Sequence, residues 1–259
     1  MSWTELRDLA VGAARAASHA LLEWVKVHDD ELGVEHKGDG SPVSQADYAS
    51  HATIVQELAA SKLPVLSEEG EQVPWEVRQN WTWFWVVDPL DGTEAFLRYR
   101  EGFAVNIALC GPEGPVLGVV ADPCGGQIFS GLANHGAHCE PLGGGERTAL
   151  EPEPATPPFR LVTSRNERAP LSELLPPGFS LDEVVSEPVS GALKFCLVAS
   201  GAADIHSRTG SYMEWDCAAG DGVLRALGLS VRDAATGEPL TYNKPSLWVH
   251  GLWVSRVQR

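Results

Sequence analysis

Positive charge, cysteine and long apolar runs are scarce in this chain, and each scarcity removes a class of protein. Lys and Arg number 19 against 35 Asp and Glu, giving a formal charge of −16. Such a field repels nucleic-acid polymers and anionic membrane surfaces, so any small anionic substrate must be attracted locally. The five cysteines (Cys110, Cys124, Cys139, Cys196, Cys217) are odd in number and show no Cys-x-x-Cys spacing. That argues against a disulfide framework or a structural zinc site and predicts free thiols. His135 and His138, beside Cys139, sit in Gly-rich surroundings and are expected to be solvated turn residues rather than ligands. No apolar run is long enough to span a bilayer, so no integral membrane segment is expected. The opening Met1–Glu5 lacks the basic and apolar regions of a leader, and a cytoplasmic location is expected.

What is present suffices for a large folded unit. With 259 residues and 44% hydrophobic content, the chain can bury one large core or two coupled ones. Residues 2–27 open with a capping box, Ser2 to Glu5, and carry Leu6, Leu9, Ala13, Ala17, Leu21 and Trp24 at helical spacing. A second helix is predicted from Ser44 to about Ala60, burying Ala52, Val55 and Leu58, with Asp47 complementing the dipole of its first turn. Trp81, Trp83 and Trp85 alternate as one packed face of a strand would. Phe103–Leu109, Pro115–Ala121 and Gln127–Gly131 read as an antiparallel meander. The Gly/Pro/Glu-rich stretch 143–158 is the sharpest break in composition, and it divides the chain into expected domains of residues 1–148 and 149–259. In the second half, a strand at Phe159–Thr163, a helix near Ala192–Ser200, a strand at Ala203–His206, a helix over Asp216–Leu227 and strands near Leu229–Arg232 and Leu247–Val254 alternate as α/β units do.

The most informative stretch is Trp85-Val86-Val87-Asp88-Pro89-Leu90-Asp91-Gly92-Thr93, an apolar strand that ends abruptly in two acids and a helix-opening Gly-Thr. Carboxylates converging with free helical N–H groups have an obvious joint client, a divalent cation carrying a phosphate. Hard oxygen ligands of this kind suit Mg²⁺. Glu68 follows the apolar segment Pro64-Val65-Leu66 and Asp216 heads a predicted helix, so both stand at element ends where a cleft could form. Four acids brought together without cations would raise one another's pKa values, which makes a purely structural cluster costly.

The string Asp88-Pro89-Leu90-Asp91-Gly92-Thr93, with Ser67-Glu68-Glu69 upstream and Glu214-Trp215-Asp216-Cys217-Ala218-Ala219-Gly220 downstream, resembles the three metal-site motifs of the inositol monophosphatase-like, metal-dependent phosphatases. Leu193-Lys194-Phe195-Cys196, the Glu-Trp-Asp form of the third motif, and Leu240-Thr241-Tyr242-Asn243-Lys244 are most similar to its 3′(2′),5′-bisphosphate nucleotidase branch. The resemblance implies an α/β chain folded as a five-layer αβαβα sandwich, a site between its two halves, two or three Mg²⁺ ions and hydrolysis of a small phosphate ester. It also carries the expectation of a homodimer.

Residue by residue, the resemblance implies that Asp88, Asp91 and Asp216 hold one metal, that Glu68, Asp88 and the carbonyl of Leu90 hold another, and that Glu68 helps to hold a third. Thr93 and Asp47 would position and deprotonate the attacking water. The amides of Gly92 and Thr93 would take phosphate oxygens. Lys37 would lie on a loop closing over the metals, and Lys194 would meet a second phosphate. Arg208, where inositol phosphatases present a glutamate, would favour that phosphate too, through a bidentate fork. Three departures from the family pattern fall where the rest of the substrate would lie: Glu94, Glu167 and Ser190-Gly191-Ala192. They leave open an inositol or sugar monophosphatase, beside a non-catalytic metal- and phosphate-binding regulator.

Overall fold

The protein is represented by a computed structural model that describes residues 1–38 and 40–257. In chain order its elements are α1 (Trp3–Val25), β1 (Glu35–His36), β2 (Pro42–Val43), α2 (Gln45–Leu58), β3 (Val65–Ser67), α3 (Trp75–Arg78), β4 (Phe84–Asp91), α4 (Thr93–Tyr99), β5 (Ala104–Gly111), β6 (Gly114–Asp122), β7 (Gln127–Leu132), β8 (Gly136–Pro141) and β9 (Thr148–Ala149). They continue with β10 (Phe159–Thr163), α5 (Leu171–Leu174), β11 (Val184–Pro188), α6 (Leu193–Ser200), β12 (Ile205–Met213), α7 (Glu214–Arg225), β13 (Arg232–Asp233) and β14 (Trp248–Ser255). Strands β3 to β9 lie side by side in chain order, antiparallel except for the parallel β3–β4 pair. A second sheet has the order β11-β10-β12-β14-β13. The extended segment 150–158 runs between the two.

Five layers follow from which faces are apolar. Helix α1 starts at the Ser2–Glu5 capping box and buries Leu6, Ala10, Ala13, Ala14, Ala17 and Leu21, a stripe at helical spacing, against β5, β6 and β7. Its partner α2 buries Ala46, Ile54 and Leu58 beside it. The opposite face of the large sheet packs on α7 and α6, whose other sides meet β12 of the second sheet. A small cluster of Phe159, Leu161, Val184 and Ile205 closes the outer face of that sheet, packed by Leu171 and Leu175 around α5.

Contact between α7 and the large sheet is unusually close. A Cβ added at Gly118 of β6 would stand 2.0 Å from the Ala219 carbonyl oxygen, and one at Gly222 would stand 2.6 Å from the Gly118 nitrogen. Only glycines let this helix lie on bare backbone, and the helix carries Asp216.

Local differences from the sequence reading have physical causes. The buried face of α2 runs through Ser50, Ile54 and Leu58, leaving Ala52 exposed and Val55 half-buried, because the apolar stripe is too short to fix the helix rotation. Trp83 and Trp85 share one core, but Trp81 precedes the strand and packs on the other core near Phe84. His138 and Cys139 belong to β8, half-buried, while His135 stays in the exposed turn. The strand predicted at Ala203–His206 extends to Met213. Strand β11, exposed at every residue after Val184, carries no apolar alternation by which to find it.

Candidate active site

Three chain segments deliver four carboxylates to one place. Parallel pairing of β3 with β4 sets Ser67 opposite Val87, and the Glu68 N–H donates to the Val87 carbonyl (3.1 Å), so Glu68 leaves the sheet beside Asp88. In β4, residues three apart would point to opposite faces of a regular strand. A register shift between Asp88 and Asp91, which face Asn106 and Ala104 of β5, adds one residue and brings both acids into the same charge cluster. Asp216 comes from the first turn of α7, where its Oδ2 accepts the Met213 N–H (2.7 Å). One carboxylate oxygen from each of Glu68, Asp88 and Asp216 lies within 4.8 Å of the others.

The electrostatics show what this cluster requires. Burial, reinforced by Glu68, Asp91 and Asp216, pushes the Asp88 carboxyl well above the usual carboxylate range. Burial and the charges of Asp91 and Glu68 push Asp216 up to about 8. Asp91 is also raised by burial, although Lys194, the Ala192 N–H and the Asn106 amide (3.2 Å) favour its charged form. Clustered, desolvated acids of one sign are costly unless a cation compensates them. Among the described residues the cluster offers hard oxygen donors, so the set fits a divalent cation of the Mg²⁺ or Ca²⁺ kind rather than a thiophilic metal. The Leu90 carbonyl oxygen sits at the same turn, 3.2 Å from the Thr93 hydroxyl oxygen.

Beside the cluster stands a hydrogen-bonded pair of hydroxyl and carboxylate. Thr93, the first residue of α4, donates its hydroxyl to Asp47 Oδ1 (3.0 Å). Asp47 is buried, and its Oδ2 accepts the Ser44 N–H (2.8 Å) and hydroxyl (2.7 Å). Burial raises its pKa against those bonds. Asp47, expected as a dipole partner from its position and as a partner of Thr93 from the resemblance, is thus hydrogen-bonded to Thr93. Gly92 is in the left-handed region (φ 92°), and a Cβ there would stand 3.2 Å from the Gly102 carbonyl oxygen, so the turn into α4 favours glycine.

Lys37 donates to Glu68 (2.7 Å) and Glu69 (2.6 Å); these hydrogen bonds outweigh its burial and raise its pKa. Its loop therefore does reach the acids, and the lysine is their counter-ion here. Lys194, buried within α6, donates to the carbonyls of Val189 (3.3 Å) and Gly191. Arg208 lies over the Tyr212 ring (4.2 Å) and donates to Ser164 (3.2 Å). Both line a cavity of about 330 Å³ that opens from Asp91 and Gly92 and is walled by α4 and the loop at 164–166.

The three departures are placed as well. Glu94 pairs with Arg98 (3.0 Å) at the cavity wall. Glu167 turns away to cap Ala169 and Thr209. The Ala192 N–H binds Asp91 while Ser190 and Gly191 line the cavity. Sequence reasoning did not find Asn106, Ser44, Tyr99, Arg98, Arg165 or Tyr212. For Arg98 a signal existed, because it stands four residues beyond Glu94 and so shares its helical face.

A family model described as the inositol monophosphatase family matches residues 2–256. The 3′(2′),5′-bisphosphate nucleotidase CysQ of Shigella flexneri is 40% identical over 239 residues, covering 91% of this chain and 93% of that one. The enzyme of the same name from Escherichia coli (strain K12) is 39% identical over the same span. Among solved structures, CysQ from Bacteroides thetaiotaomicron, a bacterial member of the inositol monophosphatase family, superposes with a TM-score of 0.83 at 32% identity and 96% coverage of both chains. This chain belongs to the inositol monophosphatase family, whose layered αβαβα fold and metal-dependent phosphatase chemistry its architecture and acid cluster match. No helix among the described residues is long and apolar enough to cross a membrane.

Proposed function

We propose that the protein is a Mg²⁺-dependent 3′(2′),5′-bisphosphate nucleotidase that hydrolyses adenosine 3′,5′-bisphosphate to AMP and phosphate, acting in the cytoplasm. One observation carries the substrate reading. Two cations, Lys194 and Arg208, line the cavity beside the acid cluster and form no salt bridge with a carboxylate among the described residues. In a chain of charge −16 that arrangement asks for a second anionic group on the substrate, away from the acids. A monophosphate would satisfy the acid end and leave the cations without a partner. The likeness to the nucleotidases named CysQ supports the same choice. The free cysteines suit a reducing compartment.

Glu68, Asp88, Asp91, Asp216 and the Leu90 carbonyl are the residues that would hold the metal. When bound, divalent cations neutralise charge building on the transferring phosphoryl group and acidify water. The chain supplies positioning. Thr93 donates its single hydroxyl proton to Asp47, which leaves the Thr93 oxygen lone pairs free to accept a hydrogen bond from the attacking water. As that water loses its proton, Asp47 can take the threonine proton, since burial already favours its protonated form. The Gly92 and Thr93 amides face phosphate oxygens at the opening of α4. Lys194 and the Arg208 fork take the 5′-phosphate, which fixes the 3′-phosphate over the acids. Lys37 is assigned to the substrate phosphate once cations replace it at Glu68 and Glu69.

The test is phosphate release from adenosine 3′,5′-bisphosphate compared with inositol 1-phosphate, in Mg²⁺, for the unmodified enzyme and for Arg208→Ala. The reading expects the bisphosphate to be preferred and the variant to lose chiefly that activity. Preference for inositol 1-phosphate would move the assignment to an inositol or sugar monophosphatase.

A further inference from the structure

The far end of the substrate cavity carries an aromatic side chain that neither the acid cluster nor the second-phosphate cations use. Tyr99 is the last residue of α4, and 57% of it is exposed although it lines the cavity. Its helix is held from the opposite side, where Phe96 is fully buried and meets Phe103 edge to face at 5.1 Å. Ala95 and Arg98 line the cavity with it. Six residues at an α-helical rise set Tyr99 about 9 Å along the axis from Thr93. That separation is comparable with the reach from a 3′-phosphate across a ribose to its base.

Across from the ring stands Arg165, its guanidinium carbon 6.0 Å from the Tyr99 centroid. That is the outer edge of cation–π attraction, whereas Arg208 rests on Tyr212 at 4.2 Å. A planar ring packed on both faces needs two van der Waals separations, about 7 Å in all. An outward shift of about 1 Å by the long Arg165 side chain would therefore admit one. An exposed aromatic face, a loosely seated guanidinium plane and a gap of nearly the right width form a receptor for a flat aromatic group. An inositol or sugar ring, puckered and hydroxylated, gains little from it.

We propose that Tyr99 and Arg165 form the nucleobase subsite, with the purine of the substrate packed between the phenol ring and the guanidinium. The proposal rests on the bisphosphate nucleotidase reading and adds the group that distinguishes a nucleotide from other bisphosphates.

The experiment compares adenosine 3′,5′-bisphosphate with its abasic counterpart, 1-deoxyribose 3,5-bisphosphate, in the unmodified enzyme, Tyr99→Ala and Tyr99→Phe. The unmodified enzyme should prefer the adenosine compound about tenfold or more in kcat/KM, through KM. In Tyr99→Ala that preference should collapse to about one, because KM for the adenosine compound rises about tenfold. Tyr99→Phe should keep it, since the ring rather than the hydroxyl makes the contact. A preference that survives in Tyr99→Ala, or is lost equally in Tyr99→Phe, or is absent from the unmodified enzyme would overturn the subsite. An unmodified enzyme that releases no phosphate from adenosine 3′,5′-bisphosphate would instead overturn the nucleotidase reading beneath it.

Discussion

Removing one charge from the acid cluster should stabilise the metal-free protein while ending its activity, and Asp88→Asn is the substitution that isolates this. The Asp88 Oδ1 accepts the Leu90 N–H (3.1 Å), a bond an asparagine oxygen can keep, so shape and hydrogen bonding survive and only the charge goes. Oxygens of Glu68 and Asp216 lie within 4.8 Å of one on Asp88. At an effective dielectric of about 20, each such ionised pair repels by about 3 kcal/mol. Proton sharing among the acids relieves part of this, so a net gain of about 3 kcal/mol at pH 8 is expected without metal, or roughly 6–12 °C in melting temperature. The gain depends on pH. Asp216 and Asp88 have folded pKa values above their unfolded ones, so the folded protein holds more protons between about pH 4 and 8. Its stability is therefore greatest at the acid end of that window and is lost as pH rises through it. Calorimetry of both proteins in chelator should show the variant's advantage at pH 8 and little of it at pH 5. Added Mg²⁺ should raise the wild-type melting temperature more than the variant's. An Asp88→Asn protein that melts at or below wild type at pH 8 in chelator would refute the account of these acids as a cation site.

Thr93→Ala should lower kcat by two orders of magnitude or more with little change in Mg²⁺ affinity measured by calorimetry, because the hydroxyl orients water rather than metal. A metal-affinity loss large enough to explain the rate would remove the relay assignment. Arg208→Ala should reduce kcat/KM for adenosine 3′,5′-bisphosphate by one to two orders of magnitude, the loss of a charge-assisted contact of about 1.5–3 kcal/mol, and should affect a monophosphate little. Gly118→Ala should lower stability by about 3 kcal/mol in urea melts, since its methyl group would collide with the backbone of α7.

The parts of this protein legible in its sequence are those where chemistry is concentrated in a few neighbouring residues. Asp88 to Thr93 announces a charged strand end, and the Ser2–Glu5 box marks the first turn of α1. Both are local signals. What stayed hidden depends on through-space arrangement. The extra residue in β4 that aligns Asp88 with Asp91 shows only in the pairing with β5. Asn106 looks like one polar residue in an apolar strand until it is seen donating to Asp91. By position alone Asp47 is a good helix-start residue for dipole reasons; its pairing with Thr93 came from the resemblance, and the 3.0 Å bond between them appears only in the fold. The layered sandwich and the roles given to the site residues came from resemblance rather than from periodicity, because long-range strand order leaves no imprint on spacing.

Phosphate release from adenosine 3′,5′-bisphosphate, set against inositol 1-phosphate at equal concentration with and without Mg²⁺, tests the central claim most directly. The account predicts Mg²⁺-dependent hydrolysis of the bisphosphate to AMP, at a kcat/KM at least tenfold above that for the monophosphate. Equal or faster hydrolysis of inositol 1-phosphate, or release that persists in full without a divalent cation, would contradict it.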